Sequence, residues 1–193
     1  MTRAFSPEPI EAGVLERLVD LASRAPSAGK TQGWNVVALE GADTSRYWDI
    51  TLPVAKRETF RWKHLLQAPL LLIPLADPSA YVERYAEPDK ATTGLGEGVD
   101  AWPAPYWTID TSMAVMTLLH AAQDEGLGAL FFGVFQRETE VRAEFAIPEG
   151  MQVIGAIAIG HPLDEEAGRS VGRARRSPDE IIHRGRFRGP VSR

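Results

Sequence analysis

Residues 107–126 read WTIDTSMAVMTLLHAAQDEG. Ile109, Met113, Met116, Leu119 and Ala122 recur three or four places apart, the period of one helix face, and Gly126 stands where such a helix takes its C-terminal cap. A helix this long and apolar belongs at the centre of a domain, and the rest of the chain is read around it. Trp34 to Leu39 and Leu70 to Ala76 are short, apolar and partly β-branched, and so predict buried strands. Ala129 to Phe135 and Val153 to Ile159 predict two more, flanking a short helix at about Glu138 to Phe145.

Towards the N-terminus, Ser6-Pro7-Glu8-Pro9 followed by Ile10, Val14, Leu18 and Ala22 predicts a capped amphipathic helix that stops near Pro26. Gly41 to Leu66 predicts helix in pieces, interrupted at Pro53. Residues 85–105 carry Pro88, Gly94, Gly96, Gly98, Pro103 and Pro105 with few aliphatic side chains, and read as one long loop. A loop of that length inside a domain is usually functional or mobile. The order of elements gives a mixed α/β chain in which helices cover a small sheet. Beyond Pro162 aliphatic residues are too few for a separate core, so that segment is expected to lie across another surface, such as a partner subunit's.

Composition narrows the function. The chain has 193 residues, 44% of them hydrophobic and 24% charged, the balance of one globular domain. There is no cysteine, which removes disulfides, thiolate zinc sites, iron–sulfur clusters and a cysteine nucleophile together, and suits a reducing compartment. A net charge of −5 has the wrong sign for wrapping nucleic acid. From Arg169 to Arg193, however, only Asp179 and Glu180 oppose a run of arginines, so an anion is expected there. No apolar run approaches the roughly 20 residues of a membrane helix, and Met1 to Phe5 has no secretory pattern, so a cytoplasmic protein without membrane contact is expected.

Familiar motifs fail. Gly29-Lys30-Thr31 would end a phosphate-binding P-loop, but position 24 is Arg24 where that motif needs glycine. Ala25-Pro26-Ser27-Ala28-Gly29 is one glycine short of a nucleophile elbow. Gly94-Leu95-Gly96-Glu97-Gly98 has no strand before it, as a dinucleotide fingerprint requires. His64, His120, His161 and His183 show no ligand spacing, so no metal site is expected. No protein general acid or base stands out either. Arg173 and Arg175, two apart on an extended segment, point the same way about 6–7 Å apart and can grip a phosphate between them.

One ordered set of motifs survives. It consists of Thr2-Arg3-Ala4-Phe5; Ala25-Pro26-Ser27-Ala28-Gly29-Lys30-Thr31-Gln32-Gly33-Trp34; Gly126-Leu127-Gly128 with Phe132-Gly133; Gly160-His161-Pro162; and Arg173-Ala174-Arg175-Arg176-Ser177-Pro178. In this order and nearly end to end, the chain resembles the FMN-dependent nitroreductase family. The resemblance implies an α+β fold, with a small mixed or antiparallel sheet covered by helices around a long central helix. Residues 1–193 then form a single domain, with 163–193 as a C-terminal arm embracing the partner in a homodimer. It implies FMN at the subunit interface, NADH or NADPH as donor, and two-step transfer to a small aromatic acceptor such as a nitroaromatic or quinone. A catalytically quiet flavin-binding protein of the same fold is the alternative.

Carried over position by position, the resemblance assigns Arg173 and Arg175 to the phosphate and Arg3 to the flavin pyrimidine edge. Ser27, Lys30 and Gln32 go to the ribityl chain, phosphate or ring edge. The backbone amides of Phe132 and Gly133 go to the flavin N5 and O4. Two positions depart from the pattern: Lys30, where relatives more often have asparagine, and Gly33, where proline is usual. Trp102, Tyr106 and Phe131 are candidates for an aromatic substrate slot.

Overall fold

The computed structural model describes residues 1–164, 172–187 and 189. Its helices are α1 (Val14–Ala22), α2 (Ala42–Thr51), α3 (Val54–Arg57), α4 (Pro78–Ala86), α5 (Tyr106–Asp124), α6 (Glu138–Glu144) and α7 (Pro178–Ile181). The strands are β1 (Trp34–Glu40), β2 (Leu70–Ala76), β3 (Gly128–Phe132), β4 (Gln152–Val153) and β5 (Ala156–Gly160). They form one sheet in the order β1-β2-β5-β3, with β4 paired to β2, and every pairing is antiparallel. This is the α+β architecture expected, with the sheet purely antiparallel among the described residues.

The sheet is buried on both faces, and the alternation of side chains shows how. Leu71, Ile73 and Leu75 of β2 join Ala156 and Ala158 of β5 in a core with Tyr47 and Trp48 of α2 and Val141 of α6. Leu70 and Leu72 join Ile157 and Ile159 in a second core with Val14 and Leu18 of α1 and Val115 and Leu118 of α5. Both faces of β2 and β5 are therefore apolar, which is why these strands read as continuous hydrophobic runs rather than as polar–apolar alternation. Every residue of β2 is buried.

Three expectations need correction. The first helix begins at Val14, after a Gly13 with φ of 83°. The proposed strand Val153 to Ile159 is broken at Ile154–Gly155, where the Phe131 ring and the Phe132 carbonyl crowd the position a Gly155 Cβ would take. Residues 85–105 are not one irregular loop. Helix α4 runs through Ala86, capped by Asp77, whose carboxylate accepts from the Ser79 amide at 2.9 Å, and three 3-10 turns follow at Ala91–Thr93, Leu95–Glu97 and Val99–Ala101. That segment is docked on the body. The Trp102 indole donates to the Leu95 carbonyl at 3.0 Å, and a Cβ on Gly96 would stand 2.6 Å from the Ala86 backbone.

Register fixes the two ends of the sheet. Trp34 opposes Ala76, Ala76 opposes Gln152, and Phe132 opposes Ala156, so the start of β1 and the end of β3 lie at one end. At the other end Glu40 opposes Leu70 and Gly128 opposes Gly160. The N-terminal segment is pinned there: Phe5 bridges Pro162, and the Thr2 amide donates to the Ala129 carbonyl at 3.0 Å.

Candidate functional site

The loop between α1 and β1 has an uncommon backbone. Gly29, Lys30 and Gln32 have φ of 61°, 55° and 53°, left-handed values that cost roughly 1–2 kcal/mol at each non-glycine position. Such a shape persists only when its surroundings impose it. Here α4 forms the floor. A Cβ on Gly29 would stand 2.9 Å from the Tyr85 ring, and a Cβ on Gly33 would stand 2.6 Å from the Tyr81 ring. Tyr81 and Tyr85 are one helical turn apart, so the two rings present a ledge on which the two glycines rest.

Hydrogen bonds close the arc from all sides. The Gln32 amide donates to Ser27 Oγ at 2.8 Å, and Gln32 Nε2 donates to the Ser23 carbonyl at 2.9 Å. Arg84 Nε donates to the Gly29 carbonyl at 3.0 Å. The Ala28 amide donates to Asp110 Oδ2 at 2.7 Å, and the same oxygen accepts from the Tyr81 hydroxyl at 2.8 Å. Burial pushes the Tyr81 phenol well above its ordinary value, and the hydrogen bond to Asp110 pushes it further in the same direction.

The loop meets other nominated residues at this end of the sheet. The Gly33 carbonyl accepts from the Asp77 amide at 2.9 Å, and Thr108 Oγ1 on the first turns of α5 bonds Gln152 at 2.6 Å. Phe132 stacks on Trp48 with centroids 5.9 Å apart, while Phe131 faces the opposite core and lies against Gly155. Gly133 follows directly, with the exposed Phe135 ring beside it. Trp102 is buried among Tyr81, Tyr85, Tyr106 and Trp107, and the Tyr106 ring, 5.6 Å from Trp102, is partly open to solvent.

Two nominated groups lie elsewhere. Arg3 sits beside the start of β3, with its guanidinium 5.4 Å from the centre of the Trp62 ring. Arg173 and Arg175 are exposed in the C-terminal segment. Part of the proposed arm, residues 165–171, 188 and 190–193, falls outside the described residues. Among the described residues, Arg3, Lys30, Arg173 and Arg175 form no ion pair, whereas Arg17, Arg24, Arg46, Arg57, Arg84, Arg137 and Arg142 all do. The cations nominated from the sequence are thus left without an acidic partner among the described residues.

Sequence reasoning missed Asp110, Tyr81 and Arg84. The signal for Asp110 was present: it is an acid in a helix whose other buried residues are uncharged.

An antiparallel sheet buried between α1–α5 and α2–α6, with a left-handed loop clasped at one end, defines a nitroreductase-type fold. The solved FMN-dependent nitroreductase from Clostridium difficile R20291 superposes with a TM-score of 0.64 at 19% identity, covering 96% of this chain and 94% of that one. The chain belongs to the nitroreductase family, whose sequence profile matches residues 1–161. Among its relatives, the NADH dehydrogenase of Thermus thermophilus is 24% identical over 177 residues, 84% of this chain and 82% of that protein. An NADPH-dependent oxidoreductase of Staphylococcus aureus is 22% identical over 189 residues, 96% of this chain and 69% of that protein.

Proposed function

We propose that this chain is an FMN-dependent oxidoreductase that passes electrons from NADH or NADPH to a small aromatic acceptor, such as a nitro compound or quinone, in two half-reactions at one site. The supporting observation is that the clasped loop Ser27–Gln32, with the aromatic side chains around Trp102 beside it, and the strand end Phe132–Gly133 lie at the same end of the sheet, on its two outer strands.

The residues present fit the cofactor. Its phosphate is a dianion, and Arg173, Arg175 and Lys30 are cations without acidic partners among the described residues; guanidinium groups suit it because they stay charged and donate in pairs. Gly133 offers a main-chain amide with no side chain of its own in the way. Arg3, steadied by Trp62, supplies the positive charge for the pyrimidine edge, where a cation favours the reduced form. When bound, FMN supplies the two-electron carrier that no side chain provides. In this reading the partly exposed Tyr106, backed by Trp102, offers the aromatic face on which donor and acceptor alternate, and Phe131, packed against Gly155, is assigned to the same slot by the resemblance alone.

The site is shared between two copies in this reading. Within one chain Arg3 lies towards the end of the sheet opposite the Ser27 loop, so a cofactor between protomers can draw on both. Tyr106, Met113 and Met116 on one side of α5 are exposed, as are Ile181, Ile182 and Phe187, an apolar surface of the kind that partners cover. No helix among the described residues is long and apolar enough to cross a membrane, and a cytoplasmic homodimer is the form proposed.

The test is a visible spectrum of the purified protein before and after FMN, followed by NADH and NADPH under anaerobic conditions. Bleaching of the flavin band by either nicotinamide supports the reading, and a bound flavin that neither one reduces points to the quiet binder. Arg173→Ala and Arg175→Ala are each expected to weaken FMN binding by about 1.5–3 kcal/mol, the loss of a charged hydrogen bond. Unchanged affinity in both removes the phosphate assignment.

A further inference from the structure

Asp110 is a carboxylate more than nine-tenths buried, and among the described residues no cation pairs with it. Its place on α5 explains why it is tolerated. Oδ2 accepts from two donors at once, the Ala28 amide at 2.7 Å and the Tyr81 hydroxyl at 2.8 Å, and short bonds to an ionised oxygen are the strong kind. Tyr81 stands on α4, where its ring also lies against Gly33 of the same loop. Ser27 Oγ accepts from the Gln32 amide. Asp110 therefore holds the loop directly at Ala28 and, through Tyr81, beneath Gly33.

Both contacts end on one oxygen, and both bear on the loop that carries the left-handed residues. Lys30 and Gln32 have φ of 55° and 53°, a backbone shape that their own side chains disfavour, so the loop needs an anchor outside itself. The local bonds cannot serve as that anchor. The Lys30 amide on the Ser27 carbonyl and the Thr31 amide on the Ala28 carbonyl move with the loop they close. Asp110 does not move with it, because it stands on a 19-residue helix whose neighbours Thr111, Ala114 and Val115 are buried in the core.

We infer that Asp110 is a positioning residue for the flavin loop, its buried carboxylate holding the Ala28 amide and fixing the Tyr81 ring beneath Gly33, so that Lys30 is presented in its left-handed conformation. The inference rests on the assignment of Ser27, Lys30 and Gln32 to FMN. Asp110 itself is directed at the loop and Tyr81, so its effect on the cofactor is exerted through them.

The experiment compares the full-length wild type with Asp110→Asn, Asp110→Glu and Tyr81→Phe. It reads three things: FMN affinity by quenching of flavin fluorescence, amide hydrogen exchange of the cofactor-free protein, and its urea midpoint. Asp110→Asn keeps the shape of the side chain but removes its charge, and Tyr81→Phe removes one donor from the network. Each is expected to raise the FMN dissociation constant roughly tenfold. Each is also expected to speed exchange at Ala28 and Gln32 while the amides of β2 and β5 stay protected. Asp110→Glu, which restores the charge, is expected to recover part of the lost affinity relative to Asp110→Asn.

A lowered urea midpoint with faster exchange throughout the sheet and unchanged FMN affinity overturns the inference, since that is the signature of a residue serving only the fold. So does an unchanged exchange rate at Ala28 in both Asp110→Asn and Tyr81→Phe. A wild type that binds no FMN overturns the functional reading instead, and is recognised as such before any variant is compared.

Discussion

Arg84 on α4 donates through Nε to the Gly29 carbonyl at 3.0 Å, while its two remaining nitrogens hold both oxygens of Asp89 at 2.7 and 2.8 Å. One side chain therefore ties the left-handed loop to the first residues of the segment 87–105. The pairing is electrostatically tight: the hydrogen bond from Arg84 holds the Asp89 carboxyl below its ordinary value of 3.8.

Removing this tie is expected to loosen both partners. In Arg84→Ala, trypsin should cut after Lys90 faster than in the wild type, and FMN should bind more weakly. A pH effect follows from the lowered Asp89 pKa. A carboxyl depressed on folding contributes stability in full above its unfolded value and loses it as pH falls through the native one. The wild-type clasp should accordingly hold at neutral pH and open only in acid below about pH 4, detected as faster cleavage at Lys90 by an acid-active protease. Identical cleavage of wild type and Arg84→Ala would show that the clasp carries no load.

Gly33 explains itself through Tyr81. The family resemblance places proline there, yet any Cβ at this position would stand 2.6 Å from the Tyr81 ring and 3.1 Å from Ala80 Cβ. Neither neighbour can retreat easily, since Tyr81 is buried and hydrogen-bonded to Asp110. Gly33→Ala is expected to destabilise the protein by about 1–3 kcal/mol through overpacking, and Gly33→Pro by at least as much. Urea unfolding measures it; a midpoint equal to the wild type's would mean that the ring moves aside freely.

These relationships mark what was legible in the sequence. β2 announces itself locally, because every residue of its apolar run is buried, whereas only Leu39 of β1 is. α5 is legible as a helix but not in its facing: Met113 and Met116 of the stripe marked by the sequence are exposed, and Ala114, Val115 and Leu118 enter the core instead. α4 carried a legible cap in Asp77-Pro78-Ser79, and only its last two residues, Tyr85 and Ala86, fall within the stretch 85–105 that reads as loop. The order of residues 87–105 owes little to local preference. It comes from Trp102 filling a space between α4 and α5, a contact that no window of sequence contains. The site divides the same way. Ser27, Lys30 and Gln32 share one motif, whereas Asp110 is 82 residues from Ala28 and becomes a partner only once the chain is folded.

Tyr47 and Tyr81 give the fold an alkaline limit. Burial pushes both phenols above their ordinary value of 10.0, and Tyr81 also donates to the Asp110 carboxylate. A phenol whose pKa rises on folding holds its proton more tightly in the native chain. Its contribution is therefore complete below pH 10 and is lost as pH climbs towards the native value. At about pH 11 the folded protein should show less tyrosinate absorbance than the same protein in urea, by at least these two residues. If Tyr81→Phe lowers the folded signal at that pH, Tyr81 ionises in the native state and the burial argument for it fails.

Trp102 decides whether the segment 87–105 behaves as part of the body. Its ring is buried, lies edge-on to Tyr85 with centroids 4.7 Å apart, and contacts Tyr81 and Trp107 in the same manner at 5.7 and 6.3 Å. Its indole nitrogen closes the middle 3-10 turn through Leu95. Trp102→Ala empties a large space between α4 and α5 and is expected to cost about 3–5 kcal/mol in urea unfolding. Trp102→Phe keeps most of the ring contacts but lacks the donor to Leu95, so it should cost less while still exposing the segment to trypsin at Lys90. Because the same ring packs on Tyr81, both variants are expected to speed amide exchange at Ala28 as well, carrying the disturbance from the covering segment into the loop. A Trp102→Ala protein as stable and as protease-resistant as the wild type would detach this segment from the core and leave Trp102 as a wall of the slot alone.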